Sequence, residues 1–108
     1  MELEISGETY TLAEEADRSR FTVSHEGKVI GLVDYIDRAA SPDDTAESAV
    51  RAFTHTEVSP SYGGRGIAAE LVRFALETSA EAGLTFRTTC SYVKGFLQKN
   101  TEFEKYVA

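Results

Sequence analysis

Three side chains flank a glycine-rich stretch and are of types that take part in group transfer. Glu57 could accept a proton directly or through water. His55 stands two residues earlier, and histidine is the side chain whose ordinary titration brackets neutral pH. In a regular strand the two share a face, although a bulge near the strand end would alter that face. Cys90 is the sole cysteine. As a thiolate it could take up an acyl group and pass it on, with His55 as its activating base. It also fits the role of a small buried apolar residue.

Between Glu57 and Cys90 runs Val58-Ser59-Pro60-Ser61-Tyr62-Gly63-Gly64-Arg65-Gly66-Ile67-Ala68. A strand ends, three glycines permit close backbone approach, and a helix begins. Amide groups at a helix N-terminus point outward with partial positive charge, which suits a phosphate or pyrophosphate. Arg65 could add a side-chain contact to the same anion. If the neighbouring strand splays away, the strand end next to the loop offers unpaired backbone groups to an extended, amide-bearing ligand arm. The same glycines would serve a plain strand-to-helix turn. A nucleotide P-loop is excluded because neither Lys-Ser nor Lys-Thr follows the last glycine. The dinucleotide fingerprint is excluded by the spacing and by the antiparallel strands that precede it.

The elements that must hold these groups follow from periodicity. Residues 1–17 are the least legible, with Glu2 to Ser6 readable as an edge strand. Phe21, Val23 and His25 alternate with Thr22 and Ser24, then Glu26-Gly27-Lys28 breaks the run and Val29 to Ile36 follows, which predicts a hairpin. Asp37 to Ala46, with Ser41-Pro42-Asp43-Asp44, reads as a loop. A third strand is expected from about Ser48 to Val58, with Phe53, His55 and Glu57 on one face and Val50, Ala52, Thr54 and Thr56 on the other. Ile67, Ala68, Leu71, Val72, Ala75, Leu76 and Ala80 recur at helical spacing, and Gly83 stops the helix. Leu84 to Thr89 predicts a strand and Tyr92 to Lys99 a second amphipathic helix, with Val93, Phe96 and Leu97 inward. Glu102 to Tyr106 would add a helical turn. The order predicts one α+β domain over residues 1–108: a mostly antiparallel sheet with a strand–helix–strand unit and a C-terminal helix.

Val58-x-Pro60, the glycine turn and Gly66-Ile67-Ala68-x-x-Leu71 resemble the coenzyme A signature of the GNAT superfamily of N-acyltransferases. Phe53-Thr54-His55-Thr56-Glu57-Val58 and Cys90-Ser91-Tyr92-Val93 further resemble a compact GNAT-like family with a histidine before the loop and a cysteine after the second strand. The similarity runs from about Phe21 to the C-terminus. It departs from the superfamily pattern at Gly63, where Arg or Gln usually stands. The resemblance implies an N-acetyltransferase that takes acetyl-CoA as co-substrate and a small amine, or the amine of a protein or peptide, as acceptor. It implies coenzyme contacts from Val58, Tyr62, Gly63, Gly64, Arg65, Gly66, Ile67 and Ala68. Catalytic roles would fall to His55, Glu57, Cys90 and Tyr92, with Tyr92 as proton donor to the departing thiolate. A non-catalytic acyl-CoA-binding module and a plain interaction domain are the alternatives.

Composition bounds these readings. The chain has 108 residues, 42% of them hydrophobic, with 11 basic and 18 acidic side chains for a net charge of −7. That balance argues against a nucleic-acid partner, which needs cations on the protein, and leaves room for a cationic acceptor. The absence of a long apolar run, together with Met1-Glu2-Leu3-Glu4, points away from a membrane and towards the cytoplasm. Two separated histidines and one cysteine make no metal site.

Overall fold

A computed structural model describes residues 1–38 and 50–107. Six strands form one sheet in chain order: β1 (Glu2–Ile5), β2 (Glu8–Glu15), β3 (Arg20–His25), β4 (Lys28–Arg38), β5 (Val50–Val58) and β6 (Thr85–Thr88). Every neighbouring pair is antiparallel except β5 and β6, which are parallel and joined by helix α1 (Ile67–Glu81). Helix α2 (Ser91–Lys99) and a 3-10 segment (Thr101–Tyr106) follow β6. This is the α+β arrangement expected. No helix among the described residues is long and apolar enough to cross a membrane.

The turns explain the hairpins. Ser6-Gly7 and Glu26-Gly27 each place two successive residues at positive φ (53° and 81°; 51° and 79°), the twist that two-residue hairpin loops need. α1 ends as a Schellman motif. Gly83 at φ 81° sends its N–H to Ala80 O, and Leu84 N–H reaches Ser79 O, which satisfies carbonyls the helix would otherwise leave open.

The core lies between one sheet face and the helices. Tyr10, Leu12, Phe21, Val23, Val33, Tyr35 and Phe53 from the sheet meet Leu71, Val72, Ala75 and Leu76 of α1, and Phe86, Val93, Phe96 and Phe103 complete the cluster. Each such aliphatic side chain contributes about 1.5–3 kcal/mol through burial. One charge sits among them. Arg51 is 7% exposed and forks onto Asp37 at 2.7 and 2.9 Å. It also donates to Ser79 Oγ at 3.1 Å, and its guanidinium lies 3.8 Å from the Tyr35 ring centroid. Arg51 thereby ties β5 to β4 and to α1. Tyr35 donates to Glu14 at 2.6 Å; burial, then that bond to Glu14, pushes the Tyr35 hydroxyl up to about 12.

The structure corrects the sequence expectation in four places. Glu8 to Glu15, in the illegible N-terminal stretch, is a full strand with Tyr10 and Leu12 inward. Asp37 and Arg38 belong to β4 rather than to a loop, because they pair with Arg51 and Val50. Residues 39–46 of that loop, and Ser48 and Ala49 of the expected third strand, lie outside the described residues. β6 is shorter than expected and omits Leu84 and Thr89. Fourth, Phe53 does not share a face with His55. The register steps from Asp34↔His55 to Tyr35↔Phe53, which makes Thr54 an extra, bulged residue. Phe53 therefore points into the core while His55 is exposed.

Candidate active site

The bulge and the strand pairing together open a cleft. β5 pairs with β6 only from Val50↔Thr85 to Phe53↔Thr88. The last rungs are Thr88 Oγ1 and Thr89 N–H, which both donate to Phe53 O at 2.9 and 3.1 Å. Beyond them β5 continues from Thr54 to Val58, still paired with β4 on its other edge. The edge facing away from β4 carries no strand partner among the described residues. Val58 is partly buried against the core and anchors the end of this edge.

The glycine loop follows directly. Ser59 N–H bonds Ile30 O at 2.7 Å, and Pro60 to Tyr62 form one 3-10 turn. Gly64 and Gly66 adopt φ of 76° and 77°, a conformation in which a side chain would be strained. Gly66 caps α1 without any side-chain bond, and the first intrahelical bond runs from Glu70 N–H to Gly66 O. The N–H groups of Ile67, Ala68 and Ala69 thus have no intrahelical acceptor and face outward along the helix axis. Ile67 is buried and fixes the helix start.

The loop is tied to the N-terminal strands. Tyr62 OH meets His25 Nδ1 at 2.7 Å. Arg65 donates to Glu8 at 2.8 Å and to Tyr10 OH at 3.2 Å, and Tyr10 in turn donates to Glu8 at 3.0 Å. The Tyr10 bond, with the charges of His25 and Arg65, holds the Glu8 carboxyl below its usual range against the opposing effect of burial. Arg65, expected to be at the disposal of an anion, is already engaged.

Across the cleft stands Cys90, at the N-cap position of α2. Its Sγ lies 3.4 Å from Thr56 Oγ1. Burial raises the thiol, but the Thr56 hydroxyl and the backbone N–H groups of Val93, Tyr92 and Thr56 outweigh it and bring it below the ordinary thiol range. Tyr92, half-exposed and raised by burial, lines a groove of about 440 Å³ between the helices with Ala69, Glu70, Arg73, Ser91 and Phe96. Arg73 is held there by Asn100 at 2.9 Å and Glu102 at 3.0 Å.

His55 Nε2 and Glu57 Oε2 lie 3.5 Å apart, both well exposed. They pair with Asp34 and Leu32 of β4, whereas Thr56 pairs with the core residue Val33. The alternation puts His55 and Glu57 on the face of β5 opposite to Thr56 and Cys90. The structure thus brings His55 together with Glu57 on one side of β5 and Cys90 with Thr56 on the other. The Tyr92 side chain lines the groove between the helices, and only its backbone N–H meets Cys90. Cys90 meets Thr56 rather than His55. Among the described residues no group of three His, Cys, Asp or Glu side chains could hold a metal ion.

Sequence reasoning missed Thr56, Glu8, Tyr10 and His25. Thr56 follows only once the bulge is known, and Glu8 and Tyr10 lie in the stretch that carried no clear pattern.

This geometry has relatives. The sequence pattern of the GCN5-related N-acetyltransferase family matches residues 20–107. The chain belongs to that family. Its membership agrees with the strand–loop–helix unit and the parallel β5–β6 pair. Protein NATD1 of Bos taurus is 44% identical over 46 residues, covering 43% of this chain, and that of Homo sapiens is 41% identical over the same length. The match spans about two fifths of the length of these curated relatives, 41% in both. Among solved structures, a GCN5-like protein from Staphylococcus aureus superposes with a TM-score of 0.61 at 20% identity, over 91% of this chain and 87% of that one. A GNAT-family acetyltransferase from Listeria monocytogenes gives 0.62 at 12% identity, over 95% and 90%. An aminoglycoside N-acetyltransferase in complex with coenzyme A gives 0.52 at 23% identity, over 77% and 55%. At these identities the structural likeness shows the shared fold.

Proposed function

We propose that this GNAT domain transfers an acetyl group from acetyl-CoA to an amine. The observation that carries the reading is the unpaired edge of Thr54–Val58, which leads from the open N-terminus of α1 to Cys90. A pyrophosphate fits the free N–H groups of Ile67, Ala68 and Ala69, with Gly63, Gly64 and Gly66 letting it approach the backbone. The amide-bearing arm then extends along β5 as an added strand, and the thioester reaches the neighbourhood of Thr56, Cys90 and Tyr92. The complex of coenzyme A with an aminoglycoside acetyltransferase of the same fold supports the choice of ligand.

The acceptor amine, small or borne by a protein or peptide, approaches from the face of His55 and Glu57. Glu57, with His55 beside it, takes the ammonium proton directly or through water. The amine nitrogen attacks the thioester carbonyl, the new C–N bond forms, and the C–S bond breaks. Tyr92 gives its proton to the departing thiolate and is reprotonated by the second proton that the nitrogen sheds as the amide forms, while the first leaves to solvent from Glu57. His55 lies across the strand from Cys90, so it cannot serve as the base of a cysteine–acyl route without rearrangement, and direct transfer is the preferred path. The thiol of Cys90 then lines the cleft. Acetyl transfer from radiolabelled acetyl-CoA to a panel of amines tests the reading. Turnover lost in Glu57→Gln with acetyl-CoA binding intact is expected. Failure with every amine class, despite tight coenzyme binding, would leave a non-catalytic acyl-CoA-binding module instead.

A further inference from the structure

Glu8 and Arg65 form a contact that the transfer reaction does not use. Arg65 is the sole cation between Ser59 and Gly66, and Gly63 brings no side chain to that loop. The cation nearest to the start of α1 is therefore held by a carboxylate from β2, at 2.8 Å. The two side chains are 40% and 44% exposed, so water competes for the pair and the contact is weak. Around it the structure is firm. Tyr10 OH touches both partners, the Tyr62 ring lies 5.3 Å from the guanidinium, and Tyr62 is itself pinned by His25. Tyr10 is fully buried, so its hydroxyl is a fixed post beside which Arg65 can exchange one anion for another.

We propose that Glu8 is an internal competitor for the coenzyme pyrophosphate, and that ligand binding moves Arg65 from Glu8 to the pyrophosphate. The inference rests on the coenzyme reading above. A pyrophosphate offers several charged acceptors in the fork geometry of a guanidinium, beside N–H donors that Glu8 does not reach, so it displaces a single half-exposed carboxylate. Glu8 is then a positioning residue: it keeps Arg65 over the loop when no ligand is bound and lowers affinity by contesting it. His25 touches both sides of this arrangement, fixing Tyr62 through Nδ1 and facing the Glu8 carboxylate with Nε2 at 3.8 Å.

The test is a double-mutant cycle read by calorimetric titration with acetyl-CoA, and with inorganic pyrophosphate as competitor. Glu8→Gln keeps the hydrogen-bonding shape and removes the charge, and is expected to bind acetyl-CoA about threefold more tightly. The gain should appear for pyrophosphate as well, because the competition concerns that group. Arg65→Gln should bind more weakly, and Glu8→Gln should have no effect in its background. An unchanged Glu8→Gln affinity overturns the inference. So does an equal gain with and without Arg65, which would make Glu8 a diffuse repulsive charge. If the wild type binds no acetyl-CoA at all, the coenzyme reading falls first and the inference with it.

Discussion

Arg51→Ala should be the most damaging single change outside the aliphatic core. Arg51 is nearly buried, stacks at 3.8 Å on Tyr35, and forks onto Asp37. The desolvated stack is worth about 1–2 kcal/mol. Asp37 is half-exposed, so its charge-assisted pair, screened by water, adds about 1 kcal/mol. The lost packing of the side-chain stem adds a similar amount. The expected cost is about 3 kcal/mol, or a fall of about 15 °C in Tm for a domain of this size. Arg51→Lys keeps the charge and stem but loses the planar fork and stack, and should cost about half as much. Urea unfolding at neutral pH, followed by circular dichroism, measures both through the midpoint at constant slope. A cost below about 1 kcal/mol for Arg51→Ala would refute the view that this buried charge is a net structural tie between β5, β4 and α1.

Other consequences follow from particular contacts. Gly66→Val places a β-branched residue at φ 77°; it should lower stability by about 1–2 kcal/mol and abolish acetyl-CoA binding, measured by calorimetry. The Cys90 thiol lies below its ordinary range because Thr56 and backbone N–H groups stabilise the thiolate. Its alkylation rate should therefore reach half-maximum at a lower pH than that of a model thiol, and Thr56→Val should move the midpoint up. Tyr35, raised from 10.0 to about 12, keeps its proton in the fold where an unfolded tyrosine loses it. The stability it contributes is whole below pH 10 and declines as pH rises towards 12, which ultraviolet titration and alkaline unfolding should both register. Gly31→Ala would bring a Cβ within 2.9 Å of Val23 and 3.1 Å of the Glu57 carbonyl, so it should destabilise by about 1–3 kcal/mol in a melting experiment.

What the sequence made legible was local. Gly63, Gly64 and Gly66 mark the loop by residue type, and Ile67, Leu71, Val72, Ala75 and Leu76 mark α1 by period. The signals that failed depend on partners far along the chain. β2 carries three acidic residues, Glu8, Glu14 and Glu15, and only pairing with β3 reveals the inward face that Tyr10 and Leu12 share. Nothing local marks Arg51 as buried; that follows only from Asp37, Tyr35 and Ser79, which surround it in the fold. The bulge at Thr54 has no local signature, since it is set by the register against β4. That one extra residue separates Phe53 from His55 and decides which side chains face Cys90.

The claim that the cleft beside β5 takes acetyl-CoA is tested most directly by thermal unfolding with saturating acetyl-CoA, with ATP and NAD as controls. A ligand at a hundred times its dissociation constant adds about 2.7 kcal/mol, which predicts a rise in Tm of about ten degrees with acetyl-CoA alone. No rise at millimolar acetyl-CoA, or an equal rise with ATP, would contradict the account.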